Sequence, residues 1–275
     1  MDRTRKKKKP PFLLRLLKKV FQLVLVVLGL AVYMTRIEPN WVQVTELDIA
    51  GQVEGSLTAV AFGDTHIGMG KDVEELEELV AQINDLQPDA VFFLGDLFDN
   101  YGAYTGDVEG CLSILADIQA EYKYAVRGNH DVGGGAEFLF PDWMESAGFV
   151  LLENACAELP GGIRLIGAAN ATYYTPNVEE MTGEGFDLLL SHEPDVADSI
   201  SNVELQLSGH SHGGQVYLPF LVDRILPRGA QTYFRGYYEK DDGGTIYVNR
   251  GVGMSMLPVR FFSRPEITFL TIHGE

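Results

Sequence analysis

From residue 57 onward, solid apolar runs alternate with apolar stripes of helical period. Residues 57–62 (Leu-Thr-Ala-Val-Ala-Phe), 91–94 (Val-Phe-Phe-Leu) and 122–126 (Tyr-Lys-Tyr-Ala-Val) are runs of this kind. A short run with little polar alternation predicts a strand buried on both faces. Between the first two, Val73, Leu76, Leu79, Val80 and Ile83 recur at three- and four-residue spacing. They predict a helix over 71–86, stopped by Pro88. Residues 108–120 and 137–147 predict two more helices. After residue 148 the pattern changes. Short strands are predicted at 149–153, 163–168, 186–191, 204–208, 215–218, 245–249 and 267–272, and helices become scarce. An alternating β and α half followed by a β-rich half predicts an α/β protein, with two sheets packed together and helices outside.

The N-terminus has a different pattern. Residues 20–35 carry no charge, and Lys18, Lys19 and Arg36 flank them. Sixteen residues are short of the roughly twenty that a spanning helix needs, but flanking lysine and arginine stems extend the reach. The expectation is a basic cytoplasmic tail over 1–19, a transmembrane signal anchor over 20–36 and a catalytic domain over 40–275. Positive charge ahead of the run puts the N-terminus in the cytoplasm and the body outside the cell membrane, as a single-pass protein. A cleaved signal peptide is the rival reading, although Ala31-Val32-Tyr33 makes a poor cleavage site. A basic amphipathic helix lying on the leaflet fits less well, because residues 23–32 contain no polar side chain.

Charge sharpens this division. Residues 1–19 hold nine of the 21 basic residues and one of the 39 acidic ones, so the body carries 12 against 38, a net of −26. Such a body excludes non-specific nucleic-acid binding. It also means that an anionic substrate needs a local positive site such as metal ions. The two cysteines, Cys111 and Cys156, offer neither a disulfide framework nor metal spacing.

The candidate chemistry sits at strand ends. The run at 91–94 leads into Gly95-Asp96, delivering one carboxylate where Gly95 lets the backbone turn closely. The other predicted strands end near Asp64-Thr65-His66, Gly128-Asn129-His130, Ser191-His192 and Gly209-His210-Ser211-His212. Five of the six histidines fall in this series, and His273, at the C-terminus, is given no role. A strand alternates its side chains across two faces, so residues i and i+2, such as Asp64 and His66 or His210 and His212, can point the same way. Carboxylate, imidazole and amide oxygen together suit divalent first-row transition metals. Carboxylates alone would suggest magnesium or calcium, and thiolates structural zinc.

The ordered series Asp64-x-His66, Gly95-Asp96-x-x-Asp99, Gly128-Asn129-His130-Asp131, His192 and Gly209-His210-x-His212 resembles the calcineurin-like metallophosphoesterases over roughly residues 40–272. The ending, with Asn249-Arg250-Gly251 and Arg264-Pro265-Glu266, is similar to the branch of small membrane-anchored bacterial phosphodiesterases that includes UDP-diacylglucosamine pyrophosphatases. Two departures stand out. Asp131 replaces a glutamate common in relatives, and Gly167-Ala168-Ala169-Asn170 stands where that branch often has an acidic pair. The resemblance implies a four-layer α/β/β/α sandwich of two mixed sheets. It implies two metal ions (manganese, zinc or iron), with Asp64, His66, Asp96 and His212 around one and Asp96, Asn129, His192 and His210 around the other. Ions about 3.5–4 Å apart lower the pKa of a bridging water, and the resulting hydroxide attacks phosphorus in line with the leaving oxygen. By resemblance, His130 protonates the leaving group or stabilises developing charge, and Asp99 holds His130 in the right tautomer.

Substrate choice is less legible. Residues 219–238 interleave aromatic and aliphatic side chains with Arg224, Arg228 and Arg235. That composition suits a flap over a lipid phosphate or lipid-linked pyrophosphate at the membrane, or equally a loop covering a sheet edge. Arg250 and Arg260 are candidate substrate grips, or partners of some of the many carboxylates. The expected function is hydrolysis of phosphodiester or pyrophosphate bonds, by a monomer, on a lipid-linked substrate or with broad specificity at the cell surface. A non-catalytic metal scaffold is the remaining alternative, which intact ligands and an intact His130 disfavour.

Overall fold

A computed structural model describes residues 11–274. The Lys6 to Lys9 cluster lies outside the described residues. Helix α1 (Phe12–Val32) starts eight residues before the uncharged run, because Phe12, Leu13, Leu14, Leu16 and Leu17 continue the apolar surface and nothing breaks the helix. Its 21 residues span about 32 Å at 1.5 Å per residue, none of them buried, so it is long and apolar enough to cross a membrane. It runs without a break through Tyr33–Ile37 into a 3-10 turn, Glu38–Asn40.

The described residues carry twelve strands in two six-stranded mixed sheets. The first contains β1 (Gln43–Gly51), β2 (Ser56–Phe62), β3 (Ala90–Phe93), β4 (Tyr122–Ala125) and β5 (Val150–Leu151). The second contains β6 (Ala155–Leu159), β7 (Ile163–Gly167), β8 (Phe186–Leu190), β9 (Leu205–Ser208), β10 (Gly236–Glu239) and β11 (Thr245–Val248). The last strand, β12 (Glu266–Gly274), returns to the first sheet between β1 and β2. Strands β2 to β5 are parallel, and so are β7, β8, β9 and β11. Carboxyl ends of parallel strands share one edge, so five ligand-bearing segments converge there.

Strand β3 shows why its apolar run is solid. Phe92 and Ala90 face the second sheet, packing with Leu188, Leu190, Leu205 and Leu207. Val91 and Phe93 face α2 (Val73–Asp85), α3 (Val108–Ala116) and α4 (Phe140–Ser146), among Leu79, Ile83, Cys111 and Phe140. Both faces are buried, so no polar alternation survives. Helix α2 begins on a capping box between Asp72 and Glu75. The outer face of the second sheet is covered by 3-10 turns at Glu179–Met181 and Pro194–Ser199, with Val196 and Ile200 packed on Ile166 and Leu189.

Three strands escape the hydrophobic pattern: β1, β6 and β10. The strand predicted over 215–218 is absent. That segment makes one isolated bridge, Val216 to Phe261, and otherwise forms a loop.

Candidate metal centre

The turn after each strand brings its polar residues inward on an unusual backbone. Asp64, His66, Asp96, His210 and His212 all have positive φ, between 43° and 69°. Asp and His tolerate this region better than most residues, but strain gathered where strand ends of the two sheets meet marks a candidate functional site. Two glycines make the approach possible. A Cβ at Gly95 would lie 2.3 Å from Gly128 N, and one at Gly209 would lie 2.4 Å from Asp64 Oδ2. His210 N donates to both Asp64 oxygens at 3.1 and 3.0 Å, locking the two sheets together at the site.

The seven expected ligands come together in two groups. Asp64, His66 and His212 have ligand atoms within 4.8 Å of one another, and so do Asp96, His192 and His210. Asn129 Oδ1 adjoins the second group, 3.1 Å from His192 Nε2. Asp96 sits between the groups. Its Oδ2 lies 3.4 Å from His66 Nε2 and 3.3 Å from His192 Nε2, while Oδ1 accepts from His130 N.

The donor set fits cations. His66 Nδ1 donates to Asp99 Oδ1 at 3.2 Å, His192 Nδ1 to Leu94 O at 2.7 Å and His210 Nε2 to Arg228 O at 2.8 Å. Each of these rings has spent one N–H outward, so in its neutral form the inward nitrogen presents a lone pair. The inward nitrogens of His192 and His210 face each other at 3.2 Å. Among the described residues, Asp64 and Asp96 have ion pairs with imidazoles alone. Burial opposes charge here; it prevails at His210 and His212, whose pKa values it lowers, and is overridden by neighbouring carboxylates at His66 and His192. Burial lowers the His66 pKa, but hydrogen bonding to Asp64 and Asp99 and the Asp96 charge raise it to about 9. Burial raises the Asp64 pKa, but His212, His66 and His192 bring it down to about 2. The site thus sets ionised Asp64 beside His210 and His212 held towards their neutral, lone-pair-bearing form, a combination that suits a cation.

Asp131 is buried and accepts backbone N–H groups from Asp96, Leu97 and Gly128 at 2.8, 2.9 and 2.8 Å. Burial and the neighbouring Asp96 raise its pKa to about 6, against those donors. An aspartate at this position fixes the turn that carries Asp96. Glu193 is a residue that the sequence did not single out. Its buried carboxylate accepts from Asn170 Nδ2, Ala171 N, Thr172 N and Thr172 Oγ1, so it clamps the 167–172 loop beside His192. Its one sequence signal is adjacency to His192.

Three expectations change. Asp64, His66, His210 and His212 do not lie on the extended backbone that the i and i+2 pairing assumed: all four have positive φ, and His210 and His212 join different groups. Asp99 does orient His130, but through its backbone: His130 Nδ1 donates to the Asp99 carbonyl oxygen, while the carboxylate lies 3.9 Å away and bonds His66 instead. Arg250 and Arg260 are not free to grip substrate. Arg250 Nε pairs with buried Glu266. Arg260 is 0% exposed and donates to the carbonyls of Arg250, Gly251, Gly253 and Ser263, with Nη2 also 3.4 Å from His212 Nδ1. Burial lowers its pKa to about 9. It holds the 250–263 loop under His212.

The centre opens into a cavity of about 820 Å³. His66, Asp96, His130 and His210 line its floor, and Leu218, Leu221, Ile225, Met256, Leu257 and Val259 line its walls, with Arg224 beside them.

The family model of the calcineurin-like phosphoesterases matches residues 57–223. The chain belongs to the calcineurin-like phosphoesterases. The metallophosphoesterase YkuE of Bacillus subtilis is 33% identical over 256 residues, covering 87% of this chain and 88% of its own. A metallophosphoesterase of Helicobacter pylori is 28% identical over 234 residues, covering 80% and 61%. A zebrafish (Danio rerio) protein described as a transmembrane protein with metallophosphoesterase domain is 29% identical over 252 residues, covering 78% and 53%. The chain thus spans between half and two thirds of those last two relatives. This calcineurin-like phosphoesterase is a metal-dependent phosphoric ester hydrolase, with residues able to hold metal ions at the shared strand edge.

Proposed function

We propose that this enzyme hydrolyses a phosphodiester or pyrophosphate bond in a lipid-linked substrate at the extracytoplasmic face of the cell membrane, acting as a monomer. The observation that carries this reading is the cavity: six apolar side chains wall a space of about 820 Å³ directly over the candidate metal centre. Apolar walls beside the reacting centre give acyl chains a place to lie while the phosphate meets the metal ligands. Helix α1, long enough to span a bilayer, and the zebrafish relative's description as a transmembrane protein both support a membrane setting.

In this reading Asp64, His66, Asp96 and His212 would hold one ion and Asp96, Asn129, His192 and His210 the other. The mixed donor set suits manganese, zinc or iron. When bound, the ions would activate a water as nucleophile and neutralise phosphoryl oxygens. The chain supplies the rest. His130 has Nδ1–H held by the Asp99 carbonyl, so its Nε2 faces the substrate; as the imidazolium, with both ring nitrogens protonated, it gives the Nε2 proton to the leaving oxygen and returns to the neutral Nδ1–H form. Arg224, on the cavity wall, is the cation within reach of a headgroup.

The test is a hydrolysis panel on the full chain in detergent, with metal content measured in parallel. Nitrophenyl phosphodiesters, glycerophospholipids and nucleotide-sugar lipids should all be hydrolysed after metal loading, with lipid-linked substrates favoured in kcat/KM. Equal or greater preference for soluble diesters would refute the lipid assignment.

A further inference from the structure

The join between α1 and the catalytic domain is rigid. Arg260 N donates to Met34 O at 2.9 Å, and Ser263 N donates to buried Glu38 Oε1 at 2.6 Å. Tyr33 stacks edge-on against Phe261, with centroids 6.3 Å apart. Lys71 Nζ donates to Pro39 O and Asn40 Oδ1 at 2.9 and 3.0 Å. A helix bolted in this way fixes which face of the domain meets the bilayer. That face carries the 255–262 loop, which walls the cavity. The facing wall, over 218–225, joins it through Tyr217 N donating to Phe261 O at 2.8 Å.

The tips of these two loops are strongly apolar. Phe220 is 93% exposed, Met256 86%, Leu257 63% and Phe262 60%. Large apolar tips from two loops around one cavity mouth mark an interaction surface. Arginines interleave with them: Arg224 and Arg228 are exposed, and Arg235 donates to Phe262 O at 3.0 Å while its guanidinium lies 4.8 Å from the Tyr217 ring. Cations stand out on a body carrying 12 basic and 38 acidic residues. Apolar tips, interleaved arginines and aromatic rings at the end of a span are what a headgroup layer accepts.

We propose that the cavity rim, residues 218–225 and 255–262, penetrates the interface of an anionic phospholipid bilayer beside α1, so that the cavity opens toward the acyl chains. The proposal rests on the membrane setting given above, and not on which bond is cleaved. The rim is a second membrane contact, and it turns α1 from a tether into an alignment device.

The test places the full chain in nanodiscs of phosphatidylcholine and phosphatidylglycerol. On a Cys156→Ser background, an environment-sensitive dye is attached at Phe220→Cys, Met256→Cys or, as control, Glu54→Cys. Position 54 follows the far end of β1, about 30 Å from the α1 junction at 3.3 Å per residue. Spin-labelled lipid should quench the dye at 220 and 256 and not at 54. Aqueous iodide should quench 220 and 256 at least about threefold less than 54, as for tips seated at the headgroup–acyl boundary. Equal iodide quenching at all three positions would overturn the proposal. Shielding from iodide without quenching by spin-labelled lipid would also overturn it, because a second copy of the chain would then cover the rim. Lipid contact without lipid hydrolysis would refute the substrate reading and leave the rim proposal standing. Lipid hydrolysis with a fully iodide-accessible rim would do the reverse.

Discussion

Asp99 separates two roles that lie side by side. Its carboxylate is 3.2 Å from His66 Nδ1 and 3.9 Å from His130 Nδ1, and its carbonyl already accepts from His130. Asp99→Asn keeps the carbonyl and an acceptor oxygen and removes the negative charge behind His66. Losing the partner of a metal-ligating histidine costs about 10–100-fold in metal affinity, or about 1.4–2.8 kcal/mol at 1.4 kcal/mol per tenfold. The asparagine retains a neutral acceptor, so it should fall near the tenfold end and Asp99→Ala near the hundredfold end. The assay is initial rate against free manganese or zinc, starting from chelated enzyme, on an alkyl and a nitrophenyl diester. The metal concentration for half-maximal rate should rise in both variants, and the alkyl-to-nitrophenyl rate ratio at saturating metal should not move. An unchanged metal dependence with an alkyl-selective loss would refute the argument, since the carboxylate would then be serving His130. Outright loss of one bound ion would make Asp99 itself a ligand.

Other variants test the remaining assignments. His130→Ala should retain metal and lose about 10²–10⁴-fold on an alkyl diester, and clearly less on a nitrophenyl ester whose leaving group needs no proton; equal losses would mean that His130 stabilises phosphoryl charge, and metal loss would make it a ligand. Asp96→Asn should lower turnover by several orders of magnitude and weaken at least one ion, as measured by metal analysis; full metal content with near-normal turnover would remove its place between the groups. Arg260→Met orphans the buried carbonyls of Arg250, Gly253 and Ser263, while Gly251 O keeps Glu266 N, and should cost about 3–5 kcal/mol in denaturant melts with little change in KM; a large KM rise at unchanged stability would restore it as a substrate grip. Protease added outside cells with a permeable outer wall should digest the catalytic domain, and protection until the inner membrane is lysed would reverse the orientation.

Much of the fold was legible because its centre is locally encoded. Strands β2, β3 and β4 are buried parallel strands, and a short apolar run ending in a turn identifies each one without knowledge of its neighbours. The residues that converge on the metal centre were visible for a related reason. Aspartate, asparagine and histidine at successive strand ends are a narrow choice of chemistry, and parallel strands must bring their carboxyl ends to one edge. Pairing across the chain was not legible. Strand β1 carries Glu46 and Asp48 and buries only Leu47 among exposed and half-buried positions, so its register against β12, Gln43 opposite Glu266, comes from the partner. Residues 215–218 have the composition of a strand, but only Phe261 offers them a partner, and they remain a loop. The same holds for the polar groups. Sequence named Asp99, Arg250 and Arg260, but their partners depend on which buried atom lies within hydrogen-bond reach. The bond from Ser263 N to Glu38 joins residues 225 positions apart. Residue type and spacing set the available chemistry, while tertiary packing, which must satisfy every buried donor and acceptor, decided where each charged group spends it.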